Sequence, residues 1–223
     1  MEHLEDYLPF WEKLSERHRQ ELESSAQIRR FPSGEVLHGG AEDCVGLLLV
    51  IEGRLRVYTT SEEGRELTLF RLFERDLCLF SASCIVNSIR FDVTIAAERE
   101  TCAFHIPAVV YKKLMAESAA VAGYTNELMA SRFSEVMWLM DQILYQKMDV
   151  RLAALLVEEA DLADSEDLHL THEELANHLG SAREVITRLL KYFQEEGVVS
   201  LARGRIRLTD RPRLEQIAAP GLR

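Results

Sequence analysis

Between Gly180 and Lys191 the chain places Arg183, Glu184, Thr187, Arg188 and Lys191 at spacings that a helix turns to one side. Their side chains are of the kind that read base edges in a DNA major groove. Arg188 suits the O6 and N7 acceptors of guanine, and Glu184 can accept from a cytosine amine. Ile186, Leu189, Leu190 and Phe193 fall on the other side as an apolar stripe at helical spacing. A helix of this kind buries one face and offers the other to a polyanion.

The flanking sequence supplies what such a helix needs. Thr171 and Glu174 have the spacing of a capping box, which predicts a helix start there. Leu175, Ala176 and Leu179 give that helix its apolar face. Gly180 is expected to end it in a left-handed conformation. Ser181 is expected to cap the second helix at once, with Glu184 three residues on. Two short helices joined by a glycine turn follow the helix-turn-helix plan, whose second helix enters the major groove. A wing is predicted next: Val198–Leu201 and Arg205–Leu208 as two strands with Gly204 at the turn. Arg203, Arg205 and Arg207 would face phosphate. The candidate DNA-binding set is therefore Ser181, Arg183, Glu184, Thr187, Arg188, Lys191, Arg203 and Arg205. From Gly180 to Arg213, eight Lys/Arg stand against four Asp/Glu, a balance of +4 in a chain whose net charge is −11. A basic patch on an acidic protein marks a footprint for a polyanion. The competing account, a small two-helix core with solvated arginines, leaves the agreement of caps, turn, outer face and wing unexplained.

The segment Gly180-Ser181-Ala182-Arg183-Glu184-Val185-Ile186-Thr187-Arg188-Leu189-Leu190-Lys191 resembles the recognition segment of the CRP/FNR family of bacterial transcription regulators. The resemblance extends over nearly the whole chain. It implies that Glu184 and Arg188, four residues apart, meet a TGTGA-like or TTGAT-like half-site. Arg183 and Thr187 match flanking positions that vary between subfamilies.

At 223 residues the chain has room for two domains. No run of eighteen apolar residues is present, so no bilayer span is expected. The start, MEHLEDYLPFWEKL, is acidic and amphipathic and lacks the order of a signal peptide. Cys44, Cys78, Cys84 and Cys102 show neither disulfide-framework nor zinc-finger spacing. A cytoplasmic protein with reduced thiols is the expectation.

The N-terminal half reads as short strands between glycine turns. Pro32-Ser33-Gly34 leads into Glu35-Val36-Leu37, and Gly46–Ile51 is a buried strand. Glu52-Gly53 turns into Arg54–Tyr58, and Glu62–Arg65 turns into Glu66–Phe70. That spacing predicts a sandwich or jelly-roll barrel. The order of Gly34, Gly53, Gly64 and Asp76 resembles the cyclic-nucleotide-binding-like barrel of the same family. Such barrels hold a small ligand.

The resemblance implies a Gly-Glu pair for ribose and an Arg-Ser pair for phosphate in members that bind cyclic nucleotides. Here Leu79-Phe80 and Phe91-Asp92 occupy those places, and an aspartate repels a phosphate. Arg90, one residue away, would point to the other face of a strand. Cyclic AMP is therefore not the expected effector. An iron–sulfur cluster is not expected either, because no cysteine precedes Cys44. The segment Asp76–Cys84 sits where the family's ligand loop would be. Cys78 and Cys84 could form a disulfide, hold a metal or face haem or nitrosyl chemistry, or both could be buried apolar residues. The candidate effector pocket comprises Cys78, Phe80, Cys84, Phe91 and Trp138. His38 and His105 are expected to be structural. No cofactor is assigned.

A long helix is predicted from about Ala119 to Gln146. Met129, Phe133, Val136, Met140 and Ile143 recur at 4-3-4-3 spacing, a coiled-coil seam. A single amphipathic helix packed on the barrel is the alternative. The resemblance implies that this helix forms a homodimer and meets the ligand near Trp138 and Leu139. Asp149–Ala153 resembles the family's hinge, followed by a helix to about Asp161 and a polar linker at 162–167.

The expected architecture is α+β: an effector-sensing jelly-roll barrel at 1–118, a dimerisation helix at 119–148, and a winged helix-turn-helix domain at 149–223. The expected function is a homodimeric, sequence-specific transcription regulator gated by a small-molecule or redox signal. Its partners would be double-stranded DNA, a second copy of itself, an unidentified effector and, as the resemblance allows, RNA polymerase. The competing class is a ligand-binding barrel module or enzyme with the C-terminal domain as adaptor. No nucleophile–base pair, HExxH, Walker loop or spaced carboxylate pair supports an enzyme.

Overall fold

The computed structural model describes residues 2–39, 45–82 and 92–221. The chain divides into two compact units, one of Met1–Thr59 and Leu69–Val136, the other of Thr60–Thr68 and Met137–Arg223. Cys44, Cys84, Arg90 and Phe91 lie outside the described residues, so the expectations placed on them stay there.

The first unit begins with 3-10 turns and α1 (Glu16–Ser25), whose Ser15 side chain caps it by accepting from the His18 N–H. Strands follow as β1 (Gln27–Phe31), β2 (Val36–Gly39), β3 (Leu47–Glu52), β4 (Leu55–Thr60), β5 (Glu66–Leu72), β6 (Leu77–Cys78), β7 (Thr94–Ala97) and β8 (Thr101–Ile106). They form two four-stranded sheets, ordered β1-β8-β3-β6 and β2-β7-β4-β5. The expected two-layer β-fold is present.

The unbroken apolar run of β3 now has its reason. Leu48 and Val50 pack in one cluster with Leu55, Val57, Leu72, Ile95 and Ala103 from other strands of both sheets. Leu47, Leu49 and Ile51 pack in another, with Trp11, Leu22, Tyr111, Leu114 and Val121. A strand buried on both faces reads as continuous rather than alternating. Gly53, at φ 99°, has Glu100 O and Thr101 where a Cβ would stand, 2.4 and 2.7 Å away, so only glycine fits this turn. His105 Nε2 bonds the Val45 carbonyl, a structural role.

Two helices follow, α2 (Ala108–Glu117) and α3 (Ala119–Tyr145). The division between the units falls within α3. Among the described residues, no helix is long and apolar enough to cross a membrane.

The second unit contains α4 (Met148–Ala163), β9 (Asp167–Leu168), α5 (His172–Leu179), α6 (Arg183–Glu195), β10 (Val199–Ala202), β11 (Arg205–Leu208) and α7 (Arg211–Ala218). The three strands form one sheet, ordered β10-β11-β9. Residues 162–167 are therefore not only a linker. Helix α4 runs on to Ala163 and ends at Asp164 in the left-handed region, and Asp167 pairs with Arg207 as the third strand of the wing. One apolar cluster unites the unit, with Leu152 and Leu156 of α4, Leu175 of α5, Ile186, Leu190 and Phe193 of α6, Ile206 of the wing and Leu214 of α7.

Candidate nucleic-acid interface

Helix α5 starts as its sequence requires. The Thr171 hydroxyl accepts from the Glu174 N–H at 3.1 Å, and the Glu174 carboxylate accepts from the Thr171 N–H at 2.6 Å. It ends at Gly180, φ 66°. The Ser181 N–H then reaches back to the Ala176 carbonyl at 3.0 Å, a closing bond of the Schellman kind. Arg151 of α4, itself buried, donates to the Leu179 carbonyl at 2.9 Å. Burial pulls the pKa of that guanidinium down from its usual value.

This geometry corrects one expectation. Ser181 does not cap α6. The N-cap is Ala182, with no side-chain cap bond. The physical reason is that the backbone of Ser181 is taken up in closing α5, which moves the helix start one residue on. Glu184 is consequently no capping partner and stands exposed in the first turn of α6.

Ile186, Leu190 and Phe193 of α6 are fully buried, and Leu189 packs partly against the same cluster. The other face lines an open depression with Arg183, Glu184, Thr187, Arg188, Lys191, Tyr192 and Glu195. Five predicted contact residues thus come together. Tyr192 was not in the predicted set, although its position four residues after Arg188 was a readable signal; it is 48% exposed. Ser181 and Thr187 are half-buried.

The cations divide into two groups. Arg183, Arg188, Lys191 and Arg203 are exposed and make no ion pair among the described residues. The other four are engaged. Arg205 binds the Asp167 carboxylate, with contacts of 2.9 and 2.5 Å, and Arg207 lies 3.7 Å from it. That partnership holds the Asp167 carboxyl below its usual pKa, chiefly through the Arg205 hydrogen bond. Arg211 binds Asp161, Glu166 and Glu215, and Arg213 binds Glu196. Arg205, expected as a cation facing phosphate, is thus already paired with Asp167 and ties the wing to β9. Only the third wing strand, which the sequence did not reveal, brings Asp167 there.

In the first unit, Cys78 is 1% exposed, and burial pushes its thiol pKa up, against thiolate chemistry. Phe80 is buried and its ring meets Phe70 at a centroid distance of 5.6 Å. Arg132 of α3 lies over Phe70 at 5.0 Å and binds Asp76 at 3.0 Å and Glu135 at 2.9 Å. The segment after β5 is thus tied to α3 at Arg132, a residue the sequence did not single out. Trp138 is half-buried on α3. Among the described residues no group of His, Cys, Asp and Glu is arranged to hold a metal.

Of the predicted seam, Phe133, Met140 and Ile143 are exposed at 68, 47 and 41%, and Val136 is half-buried. Met129 is partly buried against the first unit's own core. Met137 and Leu144 extend the exposed apolar stripe.

Two family models match the chain: a cyclic nucleotide-binding domain at residues 28–118 and a Crp-like helix-turn-helix domain at 150–217. A crystal structure from Eubacterium rectale, described as a transcriptional regulator of the crp/fnr family, is 50% identical. It covers 96% of this chain and 99% of that one, with a TM-score of 0.94. The cyclic AMP receptor protein of Thermus thermophilus is 27% identical over 86% of this chain and 88% of its own. The global nitrogen regulator of Synechococcus elongatus is 23% identical over 81% and 84%.

Proposed function

The chain belongs to the CRP/FNR family of transcription regulators, and we propose that it acts as a homodimer that reads a two-fold operator through α6 and answers to a small effector other than cyclic AMP. One observation carries the DNA reading. On α6, Arg183, Arg188 and Lys191 stand free of ion pairs among the described residues beside Glu184, while Ile186, Leu190 and Phe193 on the reverse face are fully buried. Charged groups exposed without partners, on a helix fixed by its core, are preorganised for a groove.

Dimerisation is supported by the apolar stripe Phe133, Met137, Met140, Ile143 and Leu144, which water otherwise wets. Burying each such side chain gains about 1.5–3 kcal/mol. A parallel pair would set two recognition helices about 34 Å apart, one turn of DNA.

The effector reading rests on chemistry. Leu79 and Phe80, where a nucleotide binder would need polar groups, are buried and apolar. A ligand that displaced Phe80 would press on Phe70 and so on Arg132, which holds both Asp76 and α3. Such a ligand shifts the DNA-competent population only by its differential affinity for that state.

The test is selection from a random duplex pool with purified protein, then binding isotherms with and without cyclic AMP. The expected outcome is an inverted repeat with half-site centres one helical turn apart and an affinity that cyclic AMP leaves unchanged. Enrichment of no sequence at any effector condition would overturn the DNA reading. A shift with cyclic AMP would overturn the effector reading alone.

A further inference from the structure

We propose that His172 is a positioning residue for DNA recognition, and that its ring decides whether the Thr187 hydroxyl accepts from a base or donates to one. This inference rests on the reading of α6 as the base-contacting helix.

The imidazole Nδ1 of His172 and the Thr187 Oγ1 are 2.9 Å apart. His172 is the first residue of α5, and the Thr171–Glu174 capping box fixes its backbone. Thr187 lies one turn after Arg183 and one before Lys191, beside Arg188, on the face described above. The bond therefore joins the start of one helix to the middle of the reading surface of the next.

A threonine hydroxyl has one hydrogen and two lone pairs. In mid-helix that hydrogen commonly goes to the carbonyl four residues back. Thr125 does this, donating to the Val121 carbonyl at 2.8 Å. Thr187 does not: its one hydrogen-bond partner among the described residues is His172. Burial, and then the Arg183 charge from α6, depress the His172 pKa below 6.5, so the ring is neutral at neutral pH. Arg183 is the charge set against the ring across the two helices; on α5 itself the neighbouring Glu173 is exposed.

The consequence is a choice of polarity. In the neutral tautomer that carries its proton on Nε2, Nδ1 accepts, the Thr187 hydrogen points at the ring, and only lone pairs face the groove. That arrangement suits the amino groups of adenine N6 or cytosine N4. With the ring protonated, Nδ1–H donates to Oγ1, and the hydroxyl hydrogen turns outward. It then suits the acceptors guanine O6 and N7 or thymine O4. One base pair in each half-site is thus read through a second residue that touches no base.

The test measures affinity for duplexes carrying each of the four base pairs at every half-site position, between pH 5.5 and 8. The proteins are the wild type, Thr187→Val, His172→Phe, His172→Gln and Arg188→Ala, each with a melting curve to establish folding. Thr187→Val should erase about fivefold of preference at one base pair, the worth of one hydrogen bond. His172→Phe should erase it at that same pair and leave the Arg188 pair alone. The wild type should move toward guanine or thymine at that pair as pH falls, while His172→Gln should hold one preference throughout. Loss of preference with Thr187→Val but not with either His172 variant overturns the proposal. So does a wild-type preference that stays unmoved over the pH range in which the His172 ring itself is seen by NMR to take up a proton. If Arg188→Ala changes discrimination and Thr187→Val does not, Thr187 reads nothing and the proposal fails while the DNA reading stands. If neither does, the base-reading role of α6 fails and this inference falls with it.

Discussion

The division of the cations on the second unit predicts how DNA affinity answers to salt. The slope of log K against log salt counts the phosphates a protein neutralises, about 0.9 per contact on duplex DNA. Among the described residues Lys191 and Arg203 are exposed without ion pairs, whereas Arg213 is held by the Glu196 carboxylate at 2.5 Å and by its carbonyl at 2.9 Å. In a homodimer Lys191→Ala removes two contacts, so the slope should flatten by about 1.8. Raising salt from 50 to 200 mM, roughly fourfold, should then cost the wild type about 12-fold more affinity than it costs the variant. Arg203→Ala should match it. Arg213→Ala should keep the wild-type slope and lower the melting temperature instead, because its charge is spent inside the fold. Fluorescence anisotropy on a labelled operator over a salt series measures all four. A flattening of about 0.9 rather than 1.8 would mean one subunit on DNA. Arg213→Ala flattening as much as Lys191→Ala would refute the argument that internal partners withdraw a cation from the footprint.

Three further outcomes follow from particular contacts. Glu184→Ala and Arg188→Ala should each lose about 1–3 kcal/mol of discrimination at one base pair, and Glu184→Ala should leave the melting temperature unchanged because Glu184 caps nothing; a fall in stability with intact base preference would return it to a capping role. Phe133→Glu or Met140→Glu should sediment as a monomer and bind the operator far more weakly, and a monomeric wild type at micromolar concentration would count against the seam. Because the folded His172 pKa lies below 6.5, the folded state binds fewer protons. Its share of stability is full above pH 6.5 and fades as pH falls toward the lowered value, so His172→Gln should melt with less acid sensitivity there; identical pH profiles would show that burial of the ring costs nothing.

The DNA side was legible because its signals are local. Thr171 and Glu174, Gly180, and the stripe of Ile186, Leu190 and Phe193 each state their structural role within a few residues. Where local reasoning went wrong, a partner distant in sequence was the cause. Ser181 looked like a cap until its N–H was committed to Ala176. Arg205 looked free until β9 brought Asp167 from 38 residues upstream. A charge count along the chain records neither event, since it sums cations that the fold has already paired.

The sensing side was less legible for a related reason. The strands of a sandwich can be read from glycine turns and apolar runs, but the residues that join barrel to helix meet only in three dimensions. Arg132 sits at an unremarkable place on α3, and nothing in its neighbours forecasts Asp76 or the face of Phe70. Cys78 has the residue type for redox chemistry, yet it is buried with its thiol pKa raised, which makes it a poor nucleophile. Arg132, rather than Cys78, is therefore the residue that joins this segment to α3. Breaking the link with Asp76→Asn should change how DNA affinity responds to whatever occupies the barrel, whereas Cys78→Ser should change only stability. Alkylation mapped by mass spectrometry should label Cys78 after unfolding and not before. Rapid labelling in the native state, with loss of DNA binding, would put the thiol back at the centre of the switch.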